Sequence, residues 1–227
     1  MQQTLALIHT SAVFLVRETL MQTLFDEIMP HVRLINIMDD SLLPAVMNEQ
    51  QITPVITQRM CSYVVGAEAA GADAVLSLCS SVGPAIDVAR RVVRIPVIKI
   101  DDAHTEKAVR EATKIGVVAT AATTLRPTVA LIHEKAAALK KRVRIEEILA
   151  KSAFEALMSG DRKKHDQTLL AACRRLAPRV DLILFAQASM TRLASVVEHE
   201  TRLPVLTSPR LAIEHVKRVL DGLKSRK

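Results

Sequence analysis

Asp73-Ala-Val-Leu-Ser-Leu-Cys79-Ser-Ser81 returns later in the chain as Asp181-Leu-Ile-Leu-Phe-Ala-Gln187-Ala-Ser189. Each residue of the second copy stands 108 positions after its counterpart: Asp181 after Asp73, Gln187 after Cys79, Ser189 after Ser81. Arg94-Ile-Pro96-Val97 and Arg202-Leu-Pro204-Val205 share that offset, and Leu7-Ile-His-Thr10-Ser-Ala and Val117-Val-Ala-Thr120-Ala-Ala stand 110 apart. Solenoid repeats recur at roughly 20–50 residues, whereas this spacing is that of a small domain. The chain therefore reads as two similar lobes. Only one copy carries a cysteine at the strand tip.

Strands and helices alternate around both copies, which predicts an α/β fold of two pseudo-symmetric lobes. Each lobe is expected to be a short, mostly parallel sheet flanked by helices, with an active-site cleft between the lobes. Residues 1–101 with 209–227 are assigned to the N-terminal lobe and 102–208 to the C-terminal lobe. The predicted strands are Thr4–His9, Val32–Ile37, Ala74–Cys79, Pro96–Ile100, Ile115–Ala119, Val143–Leu149, Leu182–Gln187 and Pro204–Leu206. Ser11 is a candidate N-cap for a helix running to about Met29. Asp39–Thr53, with Pro44, reads as a long loop of the kind that serves as a lid. Further helices are predicted over Pro54–Ala70, Pro84–Val93, Glu106–Thr113 and Leu125–Lys141, with Pro127 in the first turn of the last. Ala153–Met158, Lys164–Leu176 and Pro209–Leu223 complete the set.

Hydrophobic residues make up 49% of the 227, ample for a buried core. No apolar run reaches the roughly 18 residues of a membrane span, and the N-terminus lacks a basic leader with a cleavage pattern. A cytoplasmic protein is expected. The net charge of +7 permits nucleic-acid binding, but with 2% aromatic residues and no Trp the stacking platforms for single strands are nearly missing. A positive field equally favours small anionic substrates. Cys61, Cys79 and Cys173 form no CxxC pair, so neither a disulfide framework nor a zinc site is suggested, and the seven histidines fall into no metal-binding spacing. Neither GxGxxG nor GxxxxGK[ST] occurs, which disfavours nucleotide cofactors.

Ligands of open α/β sheets bind beyond the carboxyl ends of the strands, and the polar residues gather there. Thr10 and Ser11 follow the first strand; Cys79, Ser80 and Ser81 end the third. Thr120 and Thr123 follow the first strand of the second lobe, and Gln187 and Ser189 end the strand that mirrors the one with Cys79. Hydroxyls and turn N–H groups in such number suit a carboxylate. Cys79 is the candidate base, acid or nucleophile, because the thiolate is the reactive form and a helix N-terminus favours it. His9 reads as a core group. His104, after the fourth strand, is a weaker rim candidate.

Gly71-Ala-Asp73 leading into Cys79-Ser80, the Ala119-Thr120-x-x-Thr123 segment and Gln187-Ala-Ser-Met190 resemble the aspartate/glutamate/hydantoin racemase superfamily, which includes arylmalonate decarboxylase and maleate isomerase. The resemblance spans essentially the whole chain. It implies a cofactor-independent enzyme in which two cysteines face each other across the substrate α-carbon while hydroxyls and amides hold the carboxylate. The first cysteine matches Cys79, but the second falls on Gln187, and an amide exchanges no proton near neutral pH. The reading that follows is an isomerase or lyase acting on a small carboxylic acid by one-base chemistry at Cys79. Gln187 would orient the substrate, and Thr10, Ser11, Ser80, Ser81, Thr120, Thr123 and Ser189 would bind it. The alternatives are a small-carboxylate binding protein that has lost catalysis, a true amino-acid racemase and a basic nucleic-acid-binding protein. Homo-oligomer formation stays open.

Overall fold

In the computed structural model of the chain, residues 2–12 and 19–224 are described. Contacts divide it into two units, Met1–Ile100 with Pro209–Lys227 and Asp101–Ser208. The first holds β1 (Thr4–His9), α1 (Leu20–Ile28), β2 (Arg33–Met38), α2 (Leu42–Glu49), α3 (Pro54–Ala69), β3 (Ala74–Ser77), α4 (Gly83–Ala89) and β4 (Val97–Lys99). The second holds α5 (Asp102–Glu111), β5 (Lys114–Ala119), α6 (Ala122–Ala138), β6 (Arg144–Leu149), α7 (Lys151–Met158), α8 (Arg162–Leu176), β7 (Leu182–Phe185), α9 (Ala194–Thr201) and β8 (Val205–Leu206). α10 (Ser208–Lys224) closes the chain. It is tied into the first unit by the Arg210–Glu27 ion pair and by the Gln3 side chain, which donates to the Leu220 carbonyl (2.6 Å).

Each unit is built on a four-stranded parallel sheet, in the order β2-β1-β3-β4 in the first and β6-β5-β7-β8 in the second. The repeated order is the structural form of the repeated sequence. The central strands β1, β3 and β7 are buried throughout, and β5 is buried beyond Lys114. This explains their near-continuous apolar runs, since a parallel sheet is covered on both faces. The outer strands β2 and β6 are half-exposed and alternate in character.

The repeated aspartate sets the register. The Asp73 N–H donates to the Thr4 carbonyl (2.7 Å), and its carboxylate accepts the Thr4 N–H (2.9 Å). Asp181 does the same to the start of β5. Its N–H donates to the Lys114 carbonyl (2.8 Å), and its carboxylate accepts the Lys114 N–H and the Thr113 hydroxyl (both 2.9 Å). Those bonds, the Thr113 hydroxyl first, hold the Asp181 carboxyl below its ordinary range.

Local chemistry explains most helix ends. Pro54 occupies the first turn of α3, where its missing N–H costs nothing, and Thr53 Oγ1 accepts the Ile56 N–H (3.3 Å). Asp161 caps α8 through the Lys164 N–H (2.9 Å). Gly71, at φ +82°, makes the turn from α3 into β3, a conformation natural to glycine.

Several expectations are corrected. The Asp39–Thr53 segment is not an extended loop but contains α2, because Pro44 sits in the first turn, where proline is tolerated. Ser11 lies in a bend, and the helix near it begins at Leu20; the predicted helical residues 13–18 lie outside the described residues. Pro127 is the sixth residue of α6 rather than part of its first turn, since that helix starts at Ala122. β3 ends at Ser77 and β7 at Phe185, so Cys79 and Gln187 stand beyond the ladders. α9 and the 3₁₀ segment Ala188–Leu193 went unpredicted, as that stretch lacks a strong start signal.

One glycine decides a helix–sheet contact. A Cβ on Gly116, in the middle of β5, would stand 2.5 Å from Leu176 Cδ2, 2.9 Å from its Cγ and 3.2 Å from Val180 Cγ2. Leu176 is completely buried and has nowhere to move. Gly116→Ala is expected to destabilise the fold by about 1–3 kcal/mol, measured by denaturant unfolding. The same change at Gly66, where nothing lies within 4 Å, should be neutral or stabilising because alanine favours the helix.

Candidate active site

In a 2-1-3-4 sheet the chain leaves β1 in one direction and returns to its other side for β3. The crevice for a ligand opens at the carboxyl ends of those two strands. In the first unit, the Asp39 N–H donates to the His9 carbonyl and the Leu78 N–H to the Ile8 carbonyl (both 3.0 Å), so the rim segments stay paired past the strands. In the second, the Ala150 N–H donates to the Ala119 carbonyl (2.7 Å) and the Ala186 N–H to the Val118 carbonyl (3.0 Å). Each predicted site residue belongs to one of these two rims.

On the first rim, Thr10 is buried and Ser11 half-buried directly after β1. Cys79 is half-buried in extended backbone (φ −136°, ψ 117°) and opens the 3₁₀ turn Ser80–Val82, which runs straight into α4. The Val82 N–H donates back to the Cys79 carbonyl (3.4 Å). The Cys79 side chain packs against the core cluster that includes Val75, Val82, Ala85 and Ile86. Ser80 is half-buried and Ser81 buried, and the cap position of α4 is Val82.

His9 ends β1, with Nε2 2.9 Å from Asn36 Oδ1. An oxygen partner places the proton on Nε2, and burial favours the neutral ring. Nδ1 is then a buried acceptor with no hydrogen-bond partner among the described residues. Beside it, the Asp39 carboxylate accepts from the Ser41 hydroxyl (2.7 Å), the Tyr63 hydroxyl and the Arg59 guanidinium, which fastens the segment before α2 to α3. Apart from the local Ser41–Asp39 bond, these contacts join separate elements and were not legible from the sequence.

The second rim repeats the backbone and changes the side chain. Gln187 has φ −135° and ψ 132°, close to Cys79, and opens the 3₁₀ segment Ala188–Leu193. The Met190 N–H donates to its carbonyl (3.1 Å). Its side-chain oxygen accepts the Thr120 N–H (2.6 Å) and the Thr120 hydroxyl (2.9 Å). A backbone N–H only donates, so the orientation of the amide is settled by chemistry. Its NH₂ end is the part with no partner among the described residues. Thr120 was expected to offer a donor to a carboxylate, but both of its donors are directed to Gln187. Thr123 is buried in the first turn of α6, and Ser189 is half-buried.

Arg192, five residues past Gln187, makes a two-pronged pair with Asp166 on α8 (Nη1–Oδ2 2.6 Å), and His165 Nδ1 lies 2.8 Å from the same carboxylate. This ties the Gln187 segment to α8. His104 is not a rim group. It is completely buried, with Nδ1 3.0 Å from the Asp101 carbonyl, and burial pushes its pKa down to about 4. Cys173 is also fully buried, and burial pushes its thiol up to about 12. Among the described residues no group of three or more His, Cys, Asp or Glu side chains forms a metal site, and no helix is long and apolar enough to cross a membrane.

Comparison with known proteins agrees with this architecture. The chain resembles the allantoin racemase from Klebsiella pneumoniae at 16% identity and a TM-score of 0.67, covering 96% of this chain and 88% of that one. It resembles the glutamate racemase from Francisella tularensis subsp. tularensis SCHU S4, solved with D-glutamate, at 12% identity and a TM-score of 0.73, covering 98% and 82%. A mutant of arylmalonate decarboxylase in its sulfate-associated form matches at 16% identity and a TM-score of 0.61, covering 96% and 94%. No curated protein matches by sequence. At these identities the structures speak for the fold alone, but the family model for Asp/Glu/Hydantoin racemase matches residues 5–216. With that match spanning nearly its whole length, the chain belongs to the Asp/Glu/hydantoin racemase family.

Proposed function

We propose that the protein is a cofactor-independent isomerase or lyase acting on a small carboxylic acid, with proton transfer at the carbon next to the carboxylate carried by Cys79 alone. The observation that carries this reading is the side-chain amide of Gln187, held by both donors of Thr120. Gln187 occupies the place in the repeat that corresponds to Cys79, and with its oxygen engaged it presents only N–H donors. Such a group stabilises charge developing on an enediolate oxygen and exchanges no proton itself. One thiol therefore serves as both base and acid. Thr10, Ser11, Ser80, Ser81, Thr123 and Ser189 are assigned to carboxylate binding, and Thr120 to orienting Gln187. The solved relative with D-glutamate supports a small carboxylate as the ligand class.

The test begins with thermal stabilisation by a panel of small mono- and dicarboxylates, since a ligand that binds only the folded state raises its melting temperature. The ligands found are then incubated with the enzyme in D₂O. One-base chemistry is expected to introduce deuterium at the carbon next to the carboxylate while optical purity is kept. Rapid racemisation of an enantiopure ligand by the intact protein would refute the one-base assignment.

A further inference from the structure

Thr120 offers Gln187 two donors, its N–H (2.6 Å) and its hydroxyl (2.9 Å), and one side-chain oxygen takes both. A carboxylate in that place would accept the same two bonds and, being charged, would hold them more strongly. Satisfying Thr120 therefore requires an acceptor, not an amide. What a glutamine adds to that role is its NH₂ end, which has two N–H donors, no acceptor and no charge. Gln187 is half-buried at the carboxyl end of β7, and this end has no partner among the described residues.

The chain around Gln187 adds no anion. In the second unit the segments that leave the carboxyl ends of the strands are 120–123, 150–153, 186–190 and 207–209, and they contain neither Asp nor Glu. Their one charged residue is Lys151. In the first unit the segments after β1 and β3, 10–12 and 78–81, are also free of acids. The acids at strand ends stand after β2 and β4. Asp39 is engaged by Arg59, Tyr63 and Ser41, and Asp40 is exposed. Asp101 and Asp102 are buried at 2% and 7% exposure, with Asp102 3.4 Å from Lys135.

An amino acid would bring an ammonium group, which is charged and only donates. Taking such a group out of water is costly unless an anion or a set of acceptors faces it. Beside Gln187 it would meet N–H donors. A hydroxyl or carbonyl oxygen in the same place accepts from them. We infer that the ligand of this site is a carboxylic acid bearing a neutral oxygen function, not an ammonium group, at the carbon next to the carboxylate, and that Gln187 makes that selection. The inference rests on the reading of the rim as a carboxylate site and narrows it.

The experiment measures thermal stabilisation of the full chain by matched pairs: malate and aspartate, 2-hydroxyglutarate and glutamate, mandelate and phenylglycine, each as both enantiomers. The buffer holds about 0.2 M NaCl, which screens the general positive field of the protein. At least one hydroxy acid is expected to raise Tm, with its amino partner binding at least about tenfold more weakly. Gln187→Glu keeps an acceptor for Thr120, so the unliganded variant should melt close to the wild type. Its preference is expected to move toward the amino acid by at least about tenfold, since the new carboxylate pairs with an ammonium and repels an anion. A preference set by the net charge of the whole chain would survive that substitution. Gln187→Met, which removes the donors without adding charge, is the second variant, and stabilisation by the hydroxy acid should fall in it. Amino acids that stabilise the wild type as well as their hydroxy partners, or a preference unchanged in both variants, would overturn the inference and leave the carboxylate reading standing. If no member of any pair stabilises the protein, the carboxylate reading fails and this inference with it.

Discussion

Cys79→Ala is expected to abolish turnover of the carboxylate substrate, lowering kcat/KM by about 10³-fold or more. A positioned acid–base group contributes roughly 10²–10⁴ in rate, and here one thiol is assigned both halves of the proton transfer. Retention of ligand binding should separate chemistry from recognition, because the carboxylate donors lie on other residues. The substitution should cost little stability: Cys79 is half-buried at the margin of its core cluster, and the loss of one sulfur there is far from the large cavities that destabilise cores. The measurement is steady-state kinetics with the substrate found by thermal screening, alongside ligand-induced stabilisation of the variant. Full activity in a folded Cys79→Ala protein would end the proposed mechanism. Cys173 cannot substitute for it, since its thiol is held up near 12 in complete burial.

The second large effect is on stability and comes from His104. Burial lowers its pKa from 6.5 to about 4, against the carbonyls of Asp101 and Phe185 and the charge of Asp102, which favour the protonated ring. Below pH 6.5 the unfolded chain binds a proton that the folded chain refuses, so stability falls as pH falls. The contribution is fully present above pH 6.5 and is lost by about pH 4. The loss amounts to about 3 kcal/mol at 1.36 kcal/mol per unit, roughly 10 °C in Tm for a unit of this size. His9 is displaced in the same direction and adds to the same slope. The carboxylates held below their ordinary range, Asp39, Asp166 and Asp181 among them, act lower, from about pH 4 downward. His104→Gln keeps a donor for the Asp101 carbonyl and does not titrate. It is expected to flatten the Tm profile between pH 6.5 and 4, read by thermal denaturation across that range. A variant profile as steep as the wild type would refute the assignment.

Much of this architecture was readable in one dimension. The apolar runs at Ala74–Ser77 and Leu182–Phe185 meet a requirement of every buried parallel strand, and the offset between the copies reappears as two identical strand orders. The repeated Asp73 and Asp181 were legible as a motif, but their task of anchoring the neighbouring strand was not. Boundaries failed where local signals are weak or misleading: α2 hid behind Pro44, and α6 began five residues before Pro127.

The amino-acid sequence by itself determined that the chain is a duplicated α/β protein of the racemase family, with one cysteine at the tip of a central strand and a glutamine at the matching place. Its periodicities and motifs are local, and local chemistry suffices to read them. Only the tertiary structure decided how those groups are held. Thr120 and Gln187 are 67 positions apart in the chain yet share two hydrogen bonds. Lys99 meets Asp87, and Arg90 the Val97 carbonyl, only because β4 lies beside β3 and against α4. His104 stays neutral well below its ordinary range only because packing removes it from water. Orientation, ionisation and burial depend on which distant segments become neighbours, and that is settled when the sheet assembles and the helices close over it.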